Sequence, residues 1–249
     1  MMFCNLDFNI LCKNNLFVRK SDELKVIITV NAQFIVLANT EKRYFDFINA
    51  HYATFDGEIP LKIAKRTCKE FSCAEKLSGS EIIYDFVQFA KDNGMKLFLL
   101  GGKPLSNCIA VQKLHEKYDI PVEGFSPQFE KYPFSEGFVK TCLDKIADFQ
   151  PDILFVGFGA PKQEYFIEDN FDFLKSCGVK YAVGCGGTFE FVSGMIPRAP
   201  KAVQKLGLES LFRFFNGISW MRLCRILYSF KFFRYVNGKP EFARARKIK

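Results

Sequence analysis

Three short apolar runs in this chain each end in glycine, and that repeated junction limits the fold more than any other feature. Asp152-Ile153-Leu154-Phe155-Val156 runs into Gly157-Phe158-Gly159, Lys96-Leu97-Phe98-Leu99-Leu100 into Gly101-Gly102-Lys103-Pro104, and Tyr181-Ala182-Val183-Gly184 into Cys185-Gly186-Gly187. Runs this short, with no polar alternation, suit strands covered on both faces. Glycine at each exit lets the backbone turn sharply and come close to a ligand, and Pro161 stands where a helix would open. Together the three predict one parallel sheet whose carboxyl ends line a common crevice, the place where open α/β sheets hold ligands. Singly, each glycine pair reads equally well as a tight turn; the three together point to a nucleotide or sugar-phosphate site.

The remaining pattern extends that sheet. Residues 26–30 form a β-branched run that predicts a strand, followed by helices over 32–38 and 41–50. Thr29 and Asn31 then fall at the strand's carboxyl end, as a site pair or with Asn31 as a plain helix cap. An extended piece over 53–57 ends in Asp56-Gly57, a common turn dipeptide whose position at a strand end also makes Asp56 a candidate catalytic carboxylate. Further helices are predicted over 61–69, 82–92 (with Ser80 as cap and Glu81 in the first turn), 107–118, 136–149 and 166–177, with a short strand or loop at 122–125. A weak strand or hairpin is expected within 1–14. This βα alternation predicts an α/β, Rossmann-like, mostly parallel sheet with helices on both faces.

At 249 residues and 49% hydrophobic content the chain can bury a full core. No run of 18 uncharged apolar residues exists to span a bilayer, and residues 1–17 lack the basic lead-in and cleavage site of a signal peptide. Nine scattered cysteines without a Cys-x-x-Cys pair fit reduced, mostly buried thiols in a cytosolic protein. With His51 and His115 as the two histidines, a His-based metal cluster or triad is not expected.

The net charge of +8 is uneven: the stretch from Lys201 to Lys249 holds more than the whole excess, leaving a mildly acidic body. After the stiff segment Pro197-Arg198-Ala199-Pro200, residues 208–236 carry Leu, Phe, Ile and Trp at largely helical spacing, interleaved with Arg213, Arg222, Arg225, Lys231 and Arg234 and interrupted at Asn216-Gly217. Such a stretch can be core, a nucleic-acid surface or a helix pair docking on an anionic membrane. Aromatics at helical spacing beside an acidic body favour the lipid reading over a basic nucleic-acid-binding module on a Rossmann-like body. The expected organisation is an α/β catalytic domain over 1–195 and a basic, amphipathic, membrane-associating helical appendage over 196–249. A dinucleotide oxidoreductase is disfavoured, because Gly157-x-Gly159-x-x-Lys162 lacks the third glycine of that fingerprint.

Set in order, Thr29-x-Asn31, Asp56-Gly57, Leu77-Ser78-Gly79-Ser80, Leu99-Leu100-Gly101-Gly102-Lys103-Pro104, Gly157-Phe158-Gly159-Ala160-Pro161-Lys162-Gln163-Glu164, Gly186-Gly187-Thr188-Phe189-Glu190-Phe191, Arg198-Ala199-Pro200 and Leu206-Gly207-Leu208-Glu209 resemble the WecG/TagA/CpsF glycosyltransferases over nearly the whole chain. The resemblance implies inverting, metal-independent, cofactor-free transfer of a sugar, N-acetylmannosamine-type or in some members glucose. The donor would be a UDP-sugar and the acceptor a polyprenyl-diphosphate-linked saccharide at the cytoplasmic membrane face, with an anionic membrane surface and a second copy of the chain as further partners and no nucleic acid.

By the same resemblance Asp56 is the expected base, and Thr29, Asn31 and Gln163 contact substrate. Lys76, Gly101, Gly102, Gly157, Gly159, Lys162, Gly186, Gly187 and Glu190 complete the expected binding set, and Arg198, Arg213, Arg222 and Arg225 are expected at the lipid diphosphate or membrane. Two departures stand out. Lys76 and Gly79-Ser80-Glu81 occupy the place of an Arg and a Gly-Ser-Asp motif, so a point charge replaces a two-pronged donor. Glu58-Ile59-Pro60-Leu61 replaces a run of small residues. Without a metal, leaving-group charge must be met by backbone N–H groups, helix N-termini and cations such as Lys103 and Lys162.

Overall fold

The structure, a computed structural model, describes residues 1–18, 23–200, 203, 206, 209, 212 and 220–244. Six strands form one sheet in the order β4-β3-β8-β7-β5-β6. They are β3 (Lys25–Val30), β4 (Tyr52–Phe55), β5 (Leu97–Gly101), β6 (Val122–Phe125), β7 (Ile153–Gly157) and β8 (Tyr181–Gly184). The sheet is parallel, as the βα alternation requires. The chain divides into two compact units, one of residues 1–18, 28–78 and 198–249, the other of 19–27 and 79–197.

In the first unit an antiparallel hairpin, β1 (Met2–Phe3) and β2 (Leu6–Asp7), realises the structure expected near the N-terminus. Its purpose is visible in the rings: Phe8 stacks on Phe55 at 3.9 Å, and Phe71 meets both edge-on. After β3 come α1 (Ala32–Thr40), α2 (Lys42–Ala50), β4 and α3 (Glu58–Thr67). The α1 helix buries Phe34, Ile35, Val36 and Ala38. Its outer side is covered by the C-terminal part of the chain, the 3₁₀ turn Phe230–Tyr235 and the helix Trp220–Ser229.

The second unit holds α4 (Gly79–Asn93), β5, α5 (Pro104–Tyr118), β6, α6 (Glu136–Phe149), β7, α7 (Lys162–Asp169), α8 (Phe171–Ser176), β8 and α9 (Thr188–Ser193). Helix α4 seats Phe86 edge-on against Phe155 and Tyr181 of β7 and β8, at 5.5 and 5.4 Å. Register places Gly101 beside Gly157 and Gly184 beside Val156, so the three glycine-ended strands finish level with one another.

Several expected boundaries shift for identifiable reasons. Helix α3 starts at Glu58 rather than 61, because Gly57 serves as its cap and Pro60 sits in a first turn that needs no N–H from it. Ser80 is not a cap but lies inside α4, which begins at Gly79. The single helix expected over 166–177 is two, α7 and α8. Asn170 separates them, its Nδ2 donating to the Phe166 carbonyl at 2.8 Å. Residues 230–235 form a 3₁₀ turn rather than α-helix, and the break expected at Asn216-Gly217 lies outside the described residues. The cysteines are free but not mostly buried: Cys4, Cys142 and Cys185 are buried, while Cys73, Cys108 and Cys224 are exposed. Burial pushes the Cys4 and Cys142 thiols up to about 12, which makes them poor nucleophiles.

Candidate active site

In the first unit, β3 and β4 deliver the polar candidates together. The Asp56 N–H donates to the Val30 carbonyl at 2.9 Å, which sets Asp56 beside the Thr29-Val30-Asn31 strand end. A Cβ built on Gly57 would stand 3.9 Å from the Cβ of Asn31. Lys76 joins them through a parallel bridge to Phe55, reinforced by Leu77 N–H to the Phe55 carbonyl at 2.8 Å and by the Thr54 hydroxyl to the Leu77 carbonyl at 2.9 Å. Thr29 is buried, whereas Asn31, Asp56 and Lys76 keep partial exposure. Asp56-Gly57 joins β4 to α3.

Asn31 does act as a cap. Its Oδ1 accepts the N–H groups of Gln33 and Phe34 at 2.9 and 3.2 Å, holding the start of α1. The amide Nδ2 is the half of the side chain that the helix does not use.

The glycines of the second unit separate into two kinds. A Cβ on Gly102 would meet Phe189 Cδ2 at 2.7 Å, and one on Gly101 would meet Phe158 Cδ1 at 2.8 Å. On Gly157 it would meet Phe189 Cε2 at 2.9 Å. These three make room for the protein's own rings rather than for a ligand. Gly159 and Gly186 instead have nothing within 4 Å of a built Cβ. Open space therefore lies at the loops leaving β7 and β8, and Gly187, which caps α9, is exposed.

Gln163 ties those two loops together. Its Oε1 accepts the N–H of Gly159 and the N–H of Gly186, each at 3.0 Å, and its Nε2 donates to Glu164 Oε1 at 2.7 Å. Both side chains are fully buried. Glu164, a residue that sequence reasoning left without a role, has its carboxyl raised by burial to about 7, and its Oε2 is buried without a hydrogen-bond partner. Glu190 Oε2 is likewise buried without a partner. Both carboxyls act electrostatically on Cys185, whose thiol is raised chiefly by burial. The N–H groups of Gly159 and Gly186 are thus engaged by the protein and are not the anion donors that the glycine pattern suggests.

Lys162 opens α7. Its Nζ donates to the Glu130 carbonyl at 3.2 Å and lies 4.3 Å over the ring of Phe129, and burial lowers its ammonium pKa. Lys103 precedes Pro104 as the residue before α5. Among the described residues, no three His, Cys, Asp or Glu gather into a set that could hold a metal ion.

Of the expected basic contacts, Arg198 and Arg225 are exposed. Arg222 lies within the helix Trp220–Ser229, and Arg213 is outside the described residues. Beside Arg225, the side chains of Leu227, Phe230 and Phe233 are 60, 57 and 51% exposed, while Phe232 and Tyr235 are buried. Among the described residues no helix is long and apolar enough to cross a membrane.

Comparison with known proteins gives the family. Residues 4–240 match the model of the Glycosyl transferase WecG/TagA/CpsF family. An N-acetylglucosaminyldiphosphoundecaprenol N-acetyl-beta-D-mannosaminyltransferase of Staphylococcus aureus strain MRSA252 is 31% identical over 94% of this chain and 85% of its own length. The protein of that name from strain NCTC 8325 is 30% identical over the same shares. The chain belongs to the WecG/TagA/CpsF family of glycosyltransferases.

Proposed function

We propose that this protein transfers an N-acetylmannosamine-type sugar from a UDP donor to a polyprenyl-diphosphate-linked saccharide, inverting the anomeric centre and using no metal. Two lines support the reading: family membership over almost the whole chain, and relatives whose names specify an N-acetylmannosaminyl transfer onto a lipid-diphosphate-linked N-acetylglucosamine. The structural observation that supports it is the backbone of Asp56 at the end of β4, bonded to Val30 next to Asn31.

In this scheme the Asp56 carboxylate takes the proton of the acceptor hydroxyl. The hydroxyl oxygen attacks the anomeric carbon, and the bond to the UDP oxygen breaks with its electron pair leaving on the diphosphate. A positioned base contributes about 10²- to 10⁴-fold, and Lys76 with the tail arginines offsets the charge that develops. Residues 196–249 act as the membrane-associating appendage at the cytoplasmic face, with Leu227, Phe230 and Phe233 entering the interface and Arg225 and Lys231 meeting anionic headgroups.

A panel of UDP-sugars offered with an N-acetylglucosamine-diphosphate-lipid acceptor, with product mass as readout, tests the reading. The expected product gains one N-acetylhexosamine from UDP-N-acetylmannosamine. Transfer from UDP-glucose alone would replace the donor assignment with the glucosyl one, and no transfer from any UDP-sugar would overturn it.

A further inference from the structure

The buried pair Gln163 and Glu164 does more than fill the base of α7. One oxygen, Gln163 Oε1, receives two backbone N–H groups from loops 27 positions apart in sequence, Gly159 after β7 and Gly186 after β8. A carbonyl oxygen has two lone pairs, so this acceptor is saturated. The arrangement works in one amide orientation only. Turning the amide over would aim its NH₂ at two N–H donors and its oxygen at a carboxyl oxygen of Glu164. Glu164 Oε1, accepting from Gln163 Nε2 at 2.7 Å, holds the other end of the amide in the working orientation.

The surroundings are shaped for this pair. A Cβ on Gly184 would fall 2.8 Å from Gln163 Nε2 and 2.8 Å from Glu164 Oε1, so the last residue of β8 leaves room for these two side chains and no more. The Gln163 N–H also returns to the Gly159 carbonyl at 3.2 Å, closing the β7 loop on itself. Glu164 Oε2 is fully buried without a partner, a state that favours the neutral acid.

We infer that Glu164 is a positioning residue: by fixing the Gln163 amide it clasps the β7 and β8 loops to each other and so sets the two open glycine faces against which a diphosphate-bearing sugar donor is held. The donor class rests on the proposed function; the clasp itself does not. Gln163 on this account acts through the loops rather than by touching the sugar.

Amide hydrogen exchange on protein labelled with ¹⁵N-glycine, without substrate, reads the clasp directly. In the wild type the Gly159 and Gly186 amides are expected to exchange at least tenfold more slowly than an unstructured amide. Glu164→Met should remove that protection at both glycines together, and Glu164→Gln, which still offers an acceptor oxygen, should restore it. Unprotected wild-type amides overturn the clasp whether or not any variant folds. So does protection that survives in Glu164→Met, or is lost equally in Glu164→Gln. In transfer assays below the unfolding temperature, Glu164→Met should raise the donor KM about tenfold while kcat falls less, with recovery in Glu164→Gln. An unchanged KM with a lowered Tm would reduce Glu164 to a stability role. Intact exchange behaviour with no UDP-sugar turnover in any variant, wild type included, would leave the clasp standing and remove the donor assignment instead.

Discussion

The backbone N–H of Asp56 is bonded to the carbonyl of Val30 at 2.9 Å, one residue before Asn31 turns the chain into α1. That bond makes the end of β4 dependent on the end of β3, so the acid and the amide arrive at the same level from segments 25 positions apart. Asn31 thereby has two separable duties, since Oδ1 caps the helix and Nδ2 is left over.

Substitution can divide those duties. Aspartate is as good a cap as asparagine, so Asn31→Asp should keep stability within a few tenths of a kcal/mol, whereas Asn31→Ala should cost about 1 kcal/mol. If Nδ2 contacts substrate, both variants lose transfer to a similar degree. Chemical denaturation alongside initial rates checks this, and an active Asn31→Asp would confine Asn31 to capping.

The glycine at 102 is a packing residue on this structure. Gly102→Ala puts a methyl 2.7 Å from Phe189 at a φ of +71°, and overpacking of this kind costs about 1–3 kcal/mol. A urea titration should show that loss. Full stability in Gly102→Ala would mean that the Phe189 ring yields easily.

Glu164 imposes a pH dependence whose sign is fixed. Its carboxyl is raised from 4.5 to about 7 by burial, so the native state binds more protons than the unfolded chain in that window. Stability therefore falls as pH rises from 4.5 to 7, by on the order of 3 kcal/mol at 1.36 kcal/mol per unit. His51 works oppositely: burial lowers it to about 4, and its contribution is lost as pH falls from 6.5. Comparing the wild type with Glu164→Gln cancels His51, and the variant should gain relative stability across that window. The Cys185 thiol, raised chiefly by burial, stays protonated across that window in both proteins. A flat difference would contradict burial of the free acid.

The exposed apolar residues of the C-terminal segment lead to a binding prediction. Each of Leu227, Phe230 and Phe233 has roughly half its surface left to bury, worth roughly 1 kcal/mol apiece. Replacing all three with serine should weaken binding to vesicles containing anionic lipid about a hundredfold. Sedimentation with such vesicles measures it, and unchanged binding would remove this face from the membrane contact.

Much of this was legible beforehand because it depends on local pattern. The strand runs ending in Gly101, Gly157 and Gly184 and the helix Glu136–Phe149 need only apolar periodicity and a glycine or serine boundary. The misjoined helix around Asn170 shows the limit, since an asparagine inside a helical pattern becomes a stop only when its side chain turns back on Phe166. Glu164 shows a deeper one. In sequence it is an acidic residue in a helix's first turn, the usual sign of a solvated charge complementing the helix dipole. Its burial follows from Gly184 on a strand 20 residues later making space for it, and no local pattern carries that. The packing role of the glycines was hidden for the same reason: the rings of Phe158 and Phe189 that fill the gaps beside Gly101, Gly102 and Gly157 come from other segments.

Everything in the functional account converges on the carboxylate of Asp56, and transfer from UDP-N-acetylmannosamine to an N-acetylglucosamine-diphosphate-lipid by purified Asp56→Asn tests it most directly. The account predicts a protein with unchanged circular dichroism and Tm whose kcat is lower by about 10²- to 10⁴-fold. Turnover within threefold of wild type would contradict it.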